Sequence, residues 1–318
     1  MTNALFTEAR FNNDDAAREH LEEILWPHGA VCPHCGGTER NARSQAASHR
    51  AGLWHCGDCR SQFTVTVGTL FERSKVPLHK WLLANHLLCS SKKGMSTHQL
   101  HRTLGVTYKT AWFMTHRLRE AMAGNDTGTL GGNGKIVEAD ETYWGNSPRS
   151  KAVKSSKRVQ SANDKQKIVA LVERNGSVRA FHVASVNGQT LKAVLHGNIA
   201  KDTNLMTDDA RIYRRIGRHF ASHASVNHSA GEYARGNVTT NTVEGFFSIL
   251  KRGLVGTFHH VAPKHLNRYV GEFSFRYNTR TALGYTDVER AAIALKGISG
   301  KRLTYLPVKG TQSAQALT

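Results

Sequence analysis

Four of the five cysteines in the 318-residue chain form two pairs whose spacing is typical of a structural zinc site. Cys32 and Cys35 form one pair, Cys56 and Cys59 form the other, and each pair encloses two residues. Two such turns can arrange four thiolates tetrahedrally around one Zn²⁺, which leaves no open position for catalysis. The competing interpretation is two disulfide bonds in a secreted module. The first twenty residues include four acidic side chains and no apolar run, which disfavours a signal peptide, so we predict a zinc ribbon.

The residues around these pairs allow a second interpretation of the zinc ligands. His34 and His55 lie within or beside the two turns and could each replace a thiolate. Because four cysteines are available, we predict instead that both imidazoles are exposed neighbours.

The last ribbon strand is predicted over 62–67. Cys89 lies in the apolar run 81–89, where we predict a small buried core residue.

Three acidic residues far apart along the chain lie on predicted elements of regular structure. Asp140 lies in a predicted strand, Asp208 closes another, and Glu244 follows Asp208 with thirty-five residues between them. Asp209 is the nearest rival to Asp208. Taken alone, a charged residue such as Glu244 is usually a solvated surface group. Because two further acids also lie on predicted elements, the alternative is that all three belong to one functional site.

A helix predicted from Thr242 separates two faces by its periodicity. Apolar side chains recur at three- and four-residue steps and should be buried: Val243, Phe246, Phe247, Leu250 and Leu254. A polar stripe follows the same steps: Asn241, Glu244, Ser248 and Lys251. Glu244 is therefore predicted to face a polar environment rather than the core.

The elements that must position these acids alternate between strands and helices. Before the last helix they are a strand, a hairpin around an Asn-Gly turn, a helix and a strand: 136–143, 168–173 with 178–183, 191–200 and 203–208. This order predicts an α/β class with a mixed sheet. A basic insert between the first strand and the hairpin is predicted to be a mobile arm.

The chain is predicted to divide into four segments. The Gly-rich stretch 123–134 contains almost no large apolar side chains and is the clearest boundary. The segments are an N-terminal helix with the zinc ribbon, a helix-turn-helix module, the α/β domain and a C-terminal tail: 1–68, 69–126, 133–283 and 284–318.

The second of these segments carries a candidate DNA-binding motif. Three helices are predicted there: 77–89, 96–105 and 108–122. The last two flank a turn at Gly105, which suggests a helix-turn-helix whose recognition helix opens near Thr107 and directs Lys109 at DNA. The competing interpretation is an ordinary helical linker domain.

The charge balance indicates a polyanionic partner. Forty-three Lys and Arg against twenty-four Asp and Glu give a formal net charge of +19. Such an excess repels itself in a compact protein unless a polyanion is bound, and nucleic acid is the first candidate. No stretch approaches the eighteen uncharged residues of a membrane span, so we expect a cytoplasmic protein without membrane partners.

Short motifs around the three acids carry a specific resemblance. Six segments contain them: 137–143, 226–229, 231–233, 240–244, 250–253 and 259–266. Together with the interval between Asp208 and Glu244, they resemble bacterial insertion-sequence transposases of the ISXO-like, zinc-ribbon group, whose ribonuclease H-like core carries the three DDE acids. The resemblance extends over about 21–278.

This resemblance implies a fold and a chemistry. The fold would be an α/β ribonuclease H-like mixed sheet with flanking helices, preceded by a zinc ribbon and a small helix-turn-helix module. The chemistry would be metal-dependent cutting and joining of DNA with two Mg²⁺ or Mn²⁺ ions. Asp140 would bridge the two ions, Asp208 would bind one and Glu244 the other.

The resemblance and the strand geometry also suggest roles for neighbouring residues. Lys251 and Arg252 would contact the DNA backbone, and His228 and Asn241 would be accessory, with His228 positioning phosphate or water. Two further acids are not expected to bind metal. Glu141 points to the opposite face of its strand from Asp140, whereas Glu138 shares the face but lies roughly 6–7 Å along the strand.

Three functions follow from these predictions. The leading one is a nucleoid-associated DNA transposase that binds terminal inverted repeats, cleaves strands and joins them to target DNA, acting on double-stranded DNA as a homo-oligomer. The runner-up is a zinc-ribbon and helix-turn-helix DNA-binding regulator, or a domesticated, catalytically inactive transposase. The third is a structure-specific nuclease, which would end at hydrolysis.

Overall fold

The computed structural model describes residues 7–45, 48–124, 128–145 and 165–304, which pack into two compact units. The first unit takes its described residues from Met1–Ser90, Ser96–Met122 and Asp287–Thr318, and the second from Ser91–Met95 and Ala123–Thr286. The first unit thus includes part of the segment that the sequence assigned to a separate tail. The basic insert predicted as a mobile arm lies almost wholly in 146–164, outside the described residues.

The first unit opens with a helix and a small antiparallel ribbon. Their bounds are α1 (Asp14–Leu25), β1 (Asn41–Arg43), β2 (Trp54–Cys56) and β3 (Gln62–Phe63), with β2 central in the ribbon. The last strand is shorter than the predicted 62–67. Its continuation forms turns instead, because the Val67 amide donates to the Thr64 carbonyl at 3.0 Å.

Three further helices follow where the sequence predicts them: α2 (Leu78–Ser90), α3 (Thr97–Leu104) and α4 (Tyr108–Met122). Local caps set their limits. The Ser96 hydroxyl accepts the Gln99 amide at 3.1 Å, Gly105 ends α3 with φ of 60°, and the Thr107 hydroxyl accepts the Thr110 amide at 3.2 Å. Helix α9 (Asp287–Lys296) packs against α1, α2 and α4 and completes the unit.

The second unit is built on a mixed five-stranded sheet. Its strands are β4 (Ile136–Trp144), β5 (Gln166–Glu173), β6 (Val178–Val183), β7 (Asn204–Asp208) and β8 (Ser222–Val226). Their spatial order is β6-β5-β4-β7-β8; β4, β5 and β6 are antiparallel, whereas β7 is parallel to both β4 and β8. The predicted α/β class with a mixed sheet is confirmed.

Helices cover both faces of this sheet. One apolar cluster packs α5 (Gly188–Asn198) and α6 (Arg211–Gly217) on one face, and the other packs α7 (Asn241–Gly253) and α8 (Pro263–Asn278) on the opposite face. The apolar stripe predicted for α7 is buried throughout. A short hairpin of β9 (Ala234–Arg235) and β10 (Val238–Thr239) leads into α7. This architecture is consistent with the ribonuclease H-like fold that the resemblance implies.

No prediction from the sequence covers β8, α6, α8 or the two-residue strands β9 and β10 of the second unit. Strand β8 and helix α6 have only five and seven residues, too few to show a clear period. Helix α8 does carry a signal, because Pro263 begins it and Leu266, Val270 and Phe273 are buried at helical spacing. None of the described helices combines the length and apolar character needed to cross a membrane.

Candidate functional site

The four paired cysteines converge in the ribbon. Their sulfur atoms all lie within 4.8 Å of one another, with Cys32 and Cys59 separated by 3.7 Å and Cys35 and Cys56 by 3.6 Å. Four ligands at the Zn–S distance of about 2.3 Å would be spaced at about 3.8 Å, so the donor set fits tetrahedral zinc. Within the described residues all five cysteines are free of disulfides, which excludes the alternative of two disulfide bonds there.

Backbone turns hold the first pair of thiols. The Cys32 amide donates to the Gly37 carbonyl and the Gly36 amide to the Cys32 carbonyl, each at 2.9 Å. Gly36 has a φ of 79°, which disfavours residues with a Cβ. His34 and His55 lie exposed outside the group of sulfur ligands, as predicted, and Cys89 is buried.

Asp140 and Asp208 lie on neighbouring parallel strands. The register of β4 and β7 pairs Val137 with Leu205 and Glu138 with Met206, so two residues further along both strands reach Asp140 and Asp208. Alternation along a strand places these carboxylates on the same face as Glu138, the face covered by α7. The strand spacing of about 4.8 Å makes them neighbours at the end of the parallel pair.

Glu244 lies in the first turn of α7 and is partly exposed. Its Oε1 accepts a hydrogen bond from the Thr240 hydroxyl at 2.8 Å, and Nε2 of His228 lies 3.6 Å from the same oxygen. The Thr240 hydroxyl is also 3.3 Å from that imidazole nitrogen. His228 and Thr240 therefore orient the carboxylate, and His228 lies beside the predicted site.

The three carboxylates interact electrostatically. Burial, with smaller contributions from the negative charges of Glu141, Asp208 and Glu244, raises the pKa of Asp140 to about 7, against the lowering effect of a hydrogen bond from the Glu141 amide. Burial and like charges disfavour the ionised form of a carboxyl group. A bound divalent cation would instead favour the ionised form of all three. The oxygen donors suit Mg²⁺ or Mn²⁺, although among the described residues the cysteines alone form a group already converged for metal.

The rival acids have other partners. Asp209 forms an ion pair with Arg214 at 2.8 Å, and this guanidinium lowers the pKa of the Asp209 carboxyl. Glu141 points to the opposite face, where it accepts a hydrogen bond from the buried Tyr213 hydroxyl at 2.6 Å. Both acids are thus engaged away from the face that α7 covers.

Glu138 makes contacts that the sequence does not indicate. This side chain is fully buried and accepts hydrogen bonds from Arg174 and from the start of α7. Strand alternation did show that Glu138 shares a face with Asp140. Its partners lie too far along the chain, however, for any local pattern to reveal them.

The remaining predicted residues lie on exposed positions. Lys109 is exposed in the first turn of α4, next to Tyr108, which is 44% exposed. Lys251 and Arg252 are exposed in the last turn of α7, and Asn241 is exposed at its start. These positions are accessible to a large ligand, and their roles stay predictions.

Comparisons with known proteins identify two regions of the chain. Residues 129–278 match the model of the ISXO2-like transposase domain, and residues 12–62 match the transposase zinc-ribbon domain. A protein of Halobacterium salinarum, described as an uncharacterized protein in transposable element ISH50, is 28% identical over 280 residues. That alignment covers 84% of this chain and 91% of the relative.

Proposed function

We propose that the chain, whose residues 129–278 match the ISXO2-like transposase domain and whose residues 12–62 match the transposase zinc ribbon, is a DNA transposase that cleaves and joins strands at the ends of an insertion sequence. The observation that carries the proposal is the shared face of Asp140, Asp208 and Glu244, whose charges act on one another within the matched transposase domain. The three acids are the proposed metal ligands.

The chemistry requires an activated nucleophile and a stabilised leaving oxygen on opposite sides of phosphorus. Two divalent cations held by these carboxylates would supply both, first for a water molecule and then for the 3′-hydroxyl of the element end. The protein's own groups hold the carboxylates in place. Thr240 and His228 orient Glu244, while the strand pairing of β4 and β7 sets Asp140 beside Asp208.

We assign recognition of the terminal inverted repeats to the first unit. Helices α3 and α4 pack together around the Gly105 turn, and the exposed start of α4 offers Tyr108 and Lys109 to a DNA groove. The zinc ribbon adds a rigid surface without a catalytic metal position.

A stripe of arginines in the second unit supports double-stranded DNA as the substrate. Helix α6 follows Asp208 closely, and the helix together with its C-cap residue exposes four arginines at helical spacing: Arg211, Arg214, Arg215 and Arg218. Arg214 is paired with Asp209, whereas the other three have no ion-pair partner among the described residues. Unpaired guanidinium groups on one face suit the phosphate backbone.

Removing this stripe should weaken DNA binding in a salt-dependent way. We expect the triple variant R211A/R215A/R218A to reduce the magnitude of the negative slope of log Kobs against log salt concentration by about 2–3, at about 0.9 per lost phosphate contact. Fluorescence anisotropy with a duplex, without added divalent metal, measures this slope. Arg214→Ala on the same helix is the matched control, with a smaller change because Asp209 already neutralises it. A folded triple variant with the parental slope would contradict this assignment.

The proposed function is tested by supplying a pre-cut element end with a free 3′-hydroxyl and a supercoiled target in Mg²⁺ or Mn²⁺. A transposase yields joined product. A structure-specific nuclease of the same fold yields only hydrolysed strands, and a DNA-binding regulator or inactive relative yields only a bound complex. Absence of joined product with the native element ends would reject the proposal.

A further inference from the structure

A buried ion pair links the three elements that carry Asp140, Asp208 and Glu244. Glu138 of β4 is fully buried, and its Oε1 lies 2.6 Å from Nε of Arg174. We infer that this pair, the Glu138–Arg174 clamp, positions the three carboxylates for metal binding. The inference rests on the proposed function. The clamp acts through the carboxylates and is a positioning device, with no role in bond making or breaking.

The first link runs from β4 to α7. The N-cap residue Thr240 makes no side-chain cap, so the first amides of α7 need another acceptor. Oε2 of Glu138 accepts the amides of Thr242 at 2.7 Å and Val243 at 3.0 Å, and Oε1 accepts the Thr242 hydroxyl at 2.9 Å. A carboxylate at this end also interacts favourably with the helix dipole. Because Glu244 follows Val243 directly, the same contacts fix the turn that carries it.

The guanidinium of Arg174 makes the other links. Nη1 donates to Oδ1 of Asn237 at 2.6 Å and to its carbonyl at 3.0 Å, and Nη2 donates to the Thr239 carbonyl at 3.1 Å. These acceptors belong to the hairpin that leads into α7. Nη2 also lies 3.1 Å from Sδ of Met206 in β7, two residues before Asp208. The planar fork of arginine can serve these acceptors at once, which the single ammonium of lysine cannot do.

The clamp also removes Glu138 from the set of metal ligands. A free carboxylate two residues before Asp140 on the same face would add a fourth negative charge to the site. Both oxygens of Glu138 are instead occupied by α7 and Arg174, and the guanidinium neutralises its charge. The protein thus uses one buried acid to orient three others. Partners of metal ligands change metal affinity or activity by about 10- to 100-fold when they are replaced.

The experiment compares metal dependence in folded variants. Thr242→Val removes one hydrogen bond to Glu138 and keeps the ion pair, Thr242→Ser restores the hydroxyl, and Arg174→Lys keeps the charge but loses the fork. We expect Thr242→Val to raise the Mn²⁺ concentration for half-maximal strand cleavage severalfold and Thr242→Ser to restore it. Arg174→Lys and Glu138→Gln should raise it about 10- to 100-fold. Mn²⁺ binding without turnover, measured by electron paramagnetic resonance of the free ion, should weaken in parallel.

Glu173→Gln is the matched control, because Glu173 ends β5 and pairs with Lys135 and the Gly131 amide instead. Its metal dependence should be unchanged. A substitution that only destabilises the fold would lower the folded fraction, measured by thermal unfolding. It would not change the Mn²⁺ concentration for half-maximal cleavage, the Mn²⁺ midpoint. If Glu138→Gln does not fold, the comparison of Thr242→Val with Thr242→Ser still tests the clamp. Folded Thr242→Val and Arg174→Lys variants with parental Mn²⁺ midpoints would overturn the clamp, whereas absence of joined product from the parent protein with the native element ends would reject the proposed function itself.

Discussion

Asp140→Asn is expected to abolish strand cleavage while leaving DNA binding within a few-fold of the parent. The amide keeps the shape of the side chain but lacks the negative charge with which the carboxylate would hold a divalent cation. A loss of at least about 10³-fold is expected, as for other members of interdependent catalytic sets. Asp208→Asn and Glu244→Gln should have comparable effects, because each removes one carboxylate from the same face of the second unit. Gel analysis of end-labelled DNA measures cleavage, and anisotropy measures binding.

The matched control for these variants is Asp209→Asn. Asp209 adjoins Asp208 but is paired with Arg214, so its replacement should leave cleavage within about tenfold of the parent. Cleavage at the parental rate by any one of the three principal variants would remove that residue from the site. Equal losses in the control and in Asp208→Asn would mean that the two neighbours cannot be assigned different roles.

Removal of zinc should unfold the ribbon, the second large effect. The ribbon has strands of only two and three residues around a small apolar cluster, too little to fold without a further constraint. Structural zinc contributes about 10–16 kcal/mol of apparent binding energy in small zinc domains. Cys59→Ser should therefore lower bound zinc, measured by elemental analysis, from about one ion per chain to nearly none.

The ribbon carries its own spectroscopic reporter. Trp26 packs edge to face on Trp54 at 5.9 Å and on Phe63 at 5.7 Å, so loss of zinc should shift tryptophan emission to longer wavelength. Cys89→Ala, which removes a cysteine outside the sulfur cluster, should keep both zinc and emission. A Cys59→Ser protein with full zinc content and unchanged emission would show that the metal is held by other ligands.

Local chemistry allowed much of the first unit to be predicted. The four candidate zinc ligands could be named from the sequence because two residues between paired cysteines form a turn whatever surrounds them, and the four sulfurs do converge. Helices α3 and α4 were predictable because Ser96, Gly105 and Thr107 cap them from adjacent positions. The packing of α9 in this unit was not predictable, since contacts between distant segments leave no periodic trace.

The second unit shows the same division within its site. Strand alternation in β4 was enough to separate Glu141 from Asp140, and helical periodicity in α7 was enough to separate Glu244 from the buried stripe. These patterns depend only on the geometry of one element. The sequence could name Asp208 and Asp209 as rivals but could not choose between them from their contacts. In the structure, Asp209 is paired with Arg214, whereas Asp208 shares the face of its sheet with Asp140.

Only the tertiary structure decided which acid holds α7. Glu138 is separated by 104 residues from Thr242 and by 36 from Arg174, so no local pattern connects them. Burial makes the Glu138 carboxylate require partners, and the sheet and helix bring these partners to it only after folding. The sequence by itself determined the four cysteines that form the candidate zinc site, the mixed α/β class and the candidate carboxylates. The folded sheet decided which faces they share, because the pairing of β4 with β7 joins residues that the chain keeps far apart.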